Sequence, residues 1–342
     1  MFFQKEIAFF ELEPWEKEYV KNNIKGVNAK FYEEPLTLEN VSKIKNNQII
    51  GIFIYSKITK EILDKLPKLK LIATFSTGYD HINLEECQKH NVTVCNVPLY
   101  GENTVAEHTF ALILALSRKI FQSIERTKKG SFSYDGLRGF DLKEKTLGLI
   151  GTGHISGHVA RIANGFEMNI IGYDINQNPE LIKNYGLKYV DLNTLLKESD
   201  IVSMHLPLND KTKYTINKKN ISLMKPTALI INTARGGLVE TNALVKALQS
   251  KKIAGAGLDV LEEEAFVKEE KELLSEEFNK TCNIQTLIEN HILLQLDNVI
   301  ITPHNAFNST EALQRILDTS IENIKNFEKK PQNIILSVPK NI

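Results

Sequence analysis

Little in this chain suggests a covalent or metal framework. Its 342 residues include three cysteines and one tryptophan. Cys87, Cys95 and Cys282 are odd in number and no two stand at C-x-x-C spacing, which argues against a disulfide scaffold and a zinc site. No cluster of His, Cys and acids has the ligand spacing of a metal site. An excess of one charge is also missing, because 42 Lys+Arg balance 42 Asp+Glu. Broad electrostatic binding of nucleic acid and polybasic attachment to a membrane both need a basic surplus. Long apolar runs are absent: the longest, 110–116, falls far short of the roughly 20 residues that span a bilayer. The N-terminal apolar stretch is broken by Lys5, Glu6, Glu11 and Glu13, which removes the uncharged core of a signal peptide. No low-complexity segment or short-period repeat stands out. The expectation is a cytoplasmic protein with no nucleic-acid or membrane partner.

What is present is the composition of a globular protein, 42% hydrophobic and 25% charged. The length suggests two domains. In the first hundred residues, β-rich runs at 7–10, 49–54, 71–74 and 92–94 alternate with amphipathic segments at 16–22, 59–66 and 84–90. That alternation predicts a parallel sheet flanked by helices. An Ala/Leu-rich stretch then predicts a helix over 104–119, with Thr104 and Glu107 at capping-box spacing. It is apolar on most faces, as in a core, a domain junction or a subunit interface. A second alternation follows, with strands at 146–150, 169–173, 201–204, 228–232, 254–259 and 299–301. Six strands over this length match a complete dinucleotide-binding unit. The stretch 262–274 is highly charged and predicts a solvated helix or loop.

Residues 147–157 read L-G-L-I-G-T-G-H-I-S-G. Here a strand runs into Gly151-x-Gly153 and then into a helix. The first glycine permits the tight turn, and the second lets a pyrophosphate approach the backbone at a helix N-terminus. Ser156 and not glycine holds the third fingerprint position, with Gly157 one residue later. Asp174 ends the next strand at the spacing of an acid that accepts from ribose hydroxyls. No Arg or Lys adjoins it to receive a 2′-phosphate, so the expected cofactor is NAD, not NADP.

Three later segments end strands with reactive residues: I-N-T-A-R-G-G with Arg235, G-L-D-V-L-E-E-E with Asp259 and Glu264, and I-T-P-H-N-A-F with His304. Residues at the carboxyl ends of parallel strands face the ligand crevice of an open α/β sheet. An Arg fork clamps a carboxylate. A His moves the proton of a carbonyl/hydroxyl pair, and a Glu bonded to it stabilises the imidazolium. Taken singly, each has a plainer reading as an ion-pair, solvated or structural residue. The other histidines are assigned structural roles by default.

Together these segments, with S-T-G-Y-D-H-I-N (76–83), V-P-L-Y-G-E-N-T-V-A-E-H (97–108) and D-I-V-S-M-H-L-P-L (200–208), resemble the D-isomer-specific 2-hydroxyacid dehydrogenases. The resemblance runs from about residue 70 to 310 and looks most like the D-lactate dehydrogenase type. It implies an α/β chain in which a Rossmann NAD-binding domain, 102–305, is inserted into a flavodoxin-like substrate or catalytic domain, 1–101 and 306–342. It also implies that Arg235 binds the substrate carboxylate, that His304 is the general acid and base, and that Glu264 holds His304. The loop at Thr77 and Gly78 would bind the same carboxylate, with Tyr100 and Phe307 lining the pocket. Contacts to NAD would come from Gly151, Gly153, His154, Ile155, Asp174, Pro207, Thr212, Thr233 and Asp259, and Asp259 would also support the site. The helix over 104–119 would be hinge and homodimer contact. The expected reaction is NADH-dependent reduction of a small 2-keto acid, with pyruvate to D-lactate as the best guess. Other enzymes of the family, of hydroxyisocaproate, phenyllactate or glyoxylate/hydroxypyruvate type, stay open. So does an NAD(H)-sensing corepressor-like binding protein.

Overall fold

The computed structural model describes residues 6–25, 27–264, 283–327 and 333–336. Of the charged stretch 262–274, only the three glutamates at 262–264 are among them, and Cys282 is not. The strands, in chain order, are β1 (Glu6–Phe9), β2 (Asn28–Phe31), β3 (Ile49–Ile52), β4 (Leu71–Thr74) and β5 (Thr93–Cys95), then β6 (Thr146–Ile150), β7 (Asn169–Tyr173), β8 (Lys188–Tyr189) and β9 (Ile201–Met204). β10 (Leu229–Asn232), β11 (Gly255–Leu258), β12 (Val299–Ile301) and β13 (Ile334–Leu336) complete the set. The chain divides into two compact units: residues 1–100 with 309–342, and residues 101–308.

The first unit holds a six-stranded sheet in the order β13-β5-β4-β3-β1-β2. β1 to β5 pair in parallel, and β13 adds antiparallel to β5. Without β13 this is the flavodoxin-like order 2-1-3-4-5. β3 and β4 are buried at every position, as a strand covered by helices on both faces must be. The C-terminal helix Thr310–Asn326 belongs to this unit and buries Ala312, Ile316, Leu317 and Ile321 along one stripe.

The second unit holds a seven-stranded parallel sheet in the order β12-β11-β10-β9-β6-β7-β8. Counted from β6, that is 3-2-1-4-5-6 with one more strand, the Rossmann order. Alternate residues feed two cores, Leu147 and Leu149 into one and Ile150, Val202 and Met204 into the other. The order reverses between β6 and β9, so a crevice opens there at the carboxyl ends of the strands.

The helix expected over 104–119 runs Glu102–Ser117 and starts two residues early. Gly101 is its N-cap, so Thr104 lies inside the first turn and the expected capping box does not form. Glu107 instead accepts from Asn103 Nδ2 at 2.6 Å, and Glu102 puts an acid where the helix dipole favours one. The next helix, Ile120–Lys128, buries none of its residues. Among the described residues no helix is long and apolar enough to cross a membrane.

Candidate active site

At the end of β6 the chain turns sharply. Gly151 has φ +91°, and a Cβ there would lie 2.8 Å from the His205 carbonyl, so only glycine fits. A Cβ at Gly153 would meet nothing within 4 Å, leaving open space over the start of the helix His154–Gly165. His154 and Ile155 form the first turn of that helix, and His154 is 78% exposed with Nδ1 3.5 Å from Glu102 Oε1. Ser156 is buried and donates to the Gly151 carbonyl at 2.6 Å. Its hydroxyl is therefore satisfied inside the turn, and close packing of helix on strand survives the loss of the third glycine.

Asp174 follows β7 and is tied to the same turn. Its Oδ2 accepts from the Thr152 N–H at 2.6 Å and the Thr152 hydroxyl at 3.2 Å, and Oδ1 accepts from the Asn176 N–H at 2.9 Å. The Tyr189 hydroxyl donates to Thr152 Oγ1 at 2.9 Å and accepts from the Asn178 N–H at 2.7 Å. The acid is thus held beside an open, glycine-lined helix N-terminus, which suits a dinucleotide carrying a free 2′-hydroxyl. After β9, Thr212 closes the next loop, donating to the Pro207 carbonyl at 2.5 Å and accepting from the Asn209 N–H at 2.9 Å. Thr233 is buried, its hydroxyl 3.1 Å from that of Thr109.

The residues that end β10, β11 and β12 are positioned by buried polar partners. Asn232, at the end of β10, donates to the Arg235 carbonyl at 2.9 Å and accepts from the Ala234 N–H at 3.1 Å. Arg235 Nη1 donates to the Ala234 carbonyl at 2.7 Å. His304 Nδ1 and Glu264 Oε1 are 2.6 Å apart. A carboxylate only accepts, so Nδ1 carries the proton and Nε2 is left for chemistry. His304 adopts φ +53°, a left-handed conformation, with its N–H bonded to the Thr302 carbonyl at 2.9 Å.

Asp259 is 1% exposed and braces the loop from below. Its carboxylate accepts from the Thr302 hydroxyl, the Asn305 N–H (3.0 Å) and the Ala306 N–H (2.9 Å). These donors stand on both sides of His304, so the carboxylate ties the loop that carries it. His108, assigned a structural role by default, belongs to the same support: its Nε2 is 3.0 Å from Thr302 Oγ1 and 3.5 Å from Asp259 Oδ1. Asn232 and Thr302 were not singled out from the sequence. The available signal was a polar residue ending a buried strand, or standing two places before His304.

In the first unit the loop after β4 is fastened by side chains. Thr77 Oγ1 donates to the Val97 carbonyl at 2.8 Å, Asn96 Nδ2 to the Thr77 carbonyl at 2.8 Å, and Ser76 Oγ to the Gly78 carbonyl at 2.6 Å. His81 closes the loop, Nε2 3.2 Å from Thr74 Oγ1, and burial pushes its pKa down to about 4. Tyr100 is half-buried, and its carbonyl accepts from Arg315 Nε at 2.7 Å. Phe307, in the second unit, lies beside Gly101, where a Cβ would be 3.9 Å from that of Phe307.

Residues 110–306 match the family model described as the D-isomer specific 2-hydroxyacid dehydrogenase, NAD binding domain. The chain is 36% identical over 336 residues to the glyoxylate reductase of Thermococcus litoralis, covering 93% of this chain and 95% of that one. It is 31% identical over 330 residues to the D-lactate dehydrogenase of Escherichia coli, covering 94% and 97%. Among solved structures, the D-lactate dehydrogenase of Aquifex aeolicus complexed with NAD and lactic acid is similar with a TM-score of 0.84 and 36% identity, over 97% of this chain and 100% of that one.

Proposed function

The chain belongs to the D-isomer-specific 2-hydroxyacid dehydrogenases and is an NAD-dependent enzyme of that family, and from this we propose that it reduces pyruvate to D-lactate. The observation that carries a keto-acid reductase is the His304–Glu264 pair at 2.6 Å, which leaves one ring nitrogen to move a proton. Tyr100 and Phe307 match the aromatics that the family resemblance assigns to substrate binding, which favours a short side chain. Glyoxylate is the second reading, favoured by the 36% identity to a glyoxylate reductase.

In this reading the turn Gly151–Gly153, with His154 and Ile155 at the helix start, holds the pyrophosphate of NAD. Asp174 accepts from the ribose hydroxyls, and Pro207, Thr212 and Thr233 border the cofactor. NADH supplies a hydride to the carbonyl carbon. The Arg235 guanidinium forks onto the keto-acid carboxylate and stabilises charge developing on the carbonyl oxygen. His304 Nε2 gives that oxygen its proton and takes one back in the oxidative direction. Glu264 keeps the imidazole in one tautomer and orientation. The N–H groups of Thr77 and Gly78, in the substrate domain that residues 1–101 and 306–342 would form, add donors for the carboxylate. A homodimer through the helix Glu102–Ser117 is part of the proposal, supported by exposed Phe121 and Ile124 in the helix that follows.

The test is NADH oxidation against a panel of 2-keto acids with chiral analysis of the product. Pyruvate should give the highest kcat/KM and the D product. His304→Gln should lower kcat by about 100-fold or more. Arg235→Lys should mainly raise KM, because lysine lacks the fork. Near wild-type turnover in His304→Gln would overturn the mechanism, and NADH binding with no turnover of any keto acid would favour a sensor.

A further inference from the structure

Three consecutive glutamates follow β11, and only Glu264 has a place in the reaction above. Glu263 accepts from the Asn283 N–H at 3.0 Å. Glu262 gathers partners from much further along the chain. One carboxylate oxygen accepts from the Tyr214 hydroxyl, in the loop after β9. The other accepts at 2.6 Å from the hydroxyl of Thr241, the first residue of the helix Thr241–Gln249 that follows the Arg235 loop. The Glu262 carbonyl accepts from Asn290 Nδ2 at 2.7 Å, on the helix Ile284–Gln295. The backbone is pressed close as well: a Cβ at Gly236 would lie 2.3 Å from the Glu262 nitrogen and 2.2 Å from the Leu261 carbonyl oxygen.

These contacts surround both groups assigned to the substrate. Gly236 adjoins Arg235 directly, and the Tyr214 N–H donates to the Gly237 carbonyl at 2.9 Å. On the other side, the Leu261 N–H donates to Glu264 Oε2 at 3.3 Å, so the segment that Glu262 anchors also steadies the partner of His304. Burial, and then the Glu262 hydrogen bond, push the Tyr214 phenol well above its usual range, so it remains a donor throughout.

We propose that Glu262 is a positioning residue for the reaction, a two-armed carboxylate that fixes Arg235 and the Glu264–His304 pair relative to each other. The proposal rests on the reading that those groups act on the keto acid. A carboxylate suits the task because it accepts two hydroxyl donors at once and binds charge-assisted. Loops held this way keep reacting groups within the fraction of an ångström that catalysis requires.

The test compares Glu262→Ala, Glu262→Gln and the pair Tyr214→Phe with Thr241→Val, all well below their melting temperatures. Glu262→Ala should lower kcat/KM for the best keto acid by about 10-fold or more, divided between kcat and KM. Its Kd for NADH, read by fluorescence, should stay within about 2-fold of wild type, because the Gly-rich turn is untouched. Amide hydrogen exchange should quicken over 235–238 and 261–264. Glu262→Gln keeps one acceptor and should recover most of the activity. The double variant should reproduce Glu262→Ala, and it decides the matter if Glu262→Ala does not fold. Unchanged kcat/KM and unchanged exchange in those segments, even with a lowered melting temperature, would overturn the proposal. If the wild type reduces no keto acid, the reading of the reaction fails by itself, and the exchange data alone decide for or against the positioning role.

Discussion

Each of the two units is built on an open sheet of parallel strands, with β13 added antiparallel in the first, and in each the order of the parallel strands reverses once, yet they treat the reversal point in opposite ways. In the second unit the point lies between β6 and β9, and the turn after β6 is glycine-lined and open over Gly153. In the first unit it lies between β1 and β3, and the chain after β1 carries Glu11 at φ +62°. The Glu11 carboxylate accepts from the N–H groups of Phe53 (3.1 Å) and Tyr55 (2.8 Å) and from the Ser56 hydroxyl. Both crevices therefore present donors to an anion. One unit satisfies them with its own side chain, and burial raises the pKa of that carboxyl. In the other, Asp174 takes the Thr152 N–H, and the space over Gly153 stays open. The same topology carries a carboxylate-filled turn in one unit and a turn open over Gly153 in the other.

The sharpest way to break the contrast is to fill the open crevice. Gly153→Val projects into empty space, so the melting temperature should hardly change. The Kd for NADH should rise by about 100-fold, or about 2.8 kcal/mol. An unchanged Kd would mean that the turn is not the pyrophosphate site. Emptying the filled crevice is the converse. Glu11→Ala removes the acceptor of buried Ser56 and of the Phe53 and Tyr55 N–H groups and should cost about 1–3 kcal/mol of stability in denaturant unfolding. NADH affinity should stay at the wild-type value, since the cofactor turn is in the other unit.

A smaller effect sharpens the comparison by showing what the units share. Each holds a partly buried histidine pushed down to about 4 by desolvation, His81 in the first and His205 in the second. The unfolded chain takes up these protons near pH 6.5 and the folded one does not, so stability is full above 6.5 and falls as pH drops toward 4. Between pH 6.5 and 5.5 each histidine should remove about 1 kcal/mol. His81→Gln and His205→Gln should each flatten that slope, and stability that rises on acidification over this range would contradict the assignment.

The legible parts of the fold were the central strands. β4, β6, β7 and β9 begin and end where the sequence places them, because a strand buried on both faces reads as an apolar stretch. The edge strand β12 was also legible, from Val-Ile-Ile alone. The other edges were not legible. β2 has the sequence Asn-Ala-Lys-Phe and is half exposed, β8 is two residues long, and β13 pairs antiparallel from the far end of the chain. Their pairing comes from the neighbouring strand and not from their own pattern. The start of the helix Glu102–Ser117 was misread because Thr104 and Glu107 imitate a cap that the Gly101 turn makes unnecessary. Within the site, Arg235, Glu264 and His304 stood out as charged residues at strand ends. The roles of Glu262 and His108 did not, since their partners lie 21 or more residues away and only the folded chain brings them together.

One feature of the reacting loop reaches beyond catalysis. His304 keeps φ +53°, which asparagine or glycine adopts more readily than histidine. The loop is held there from outside, by the grip of Asp259 on Thr302, Asn305 and Ala306. Selection for turnover and selection for durability therefore pull in opposite directions at this codon. On the proposed mechanism, His304→Gly would relax this backbone and remove the proton carrier together.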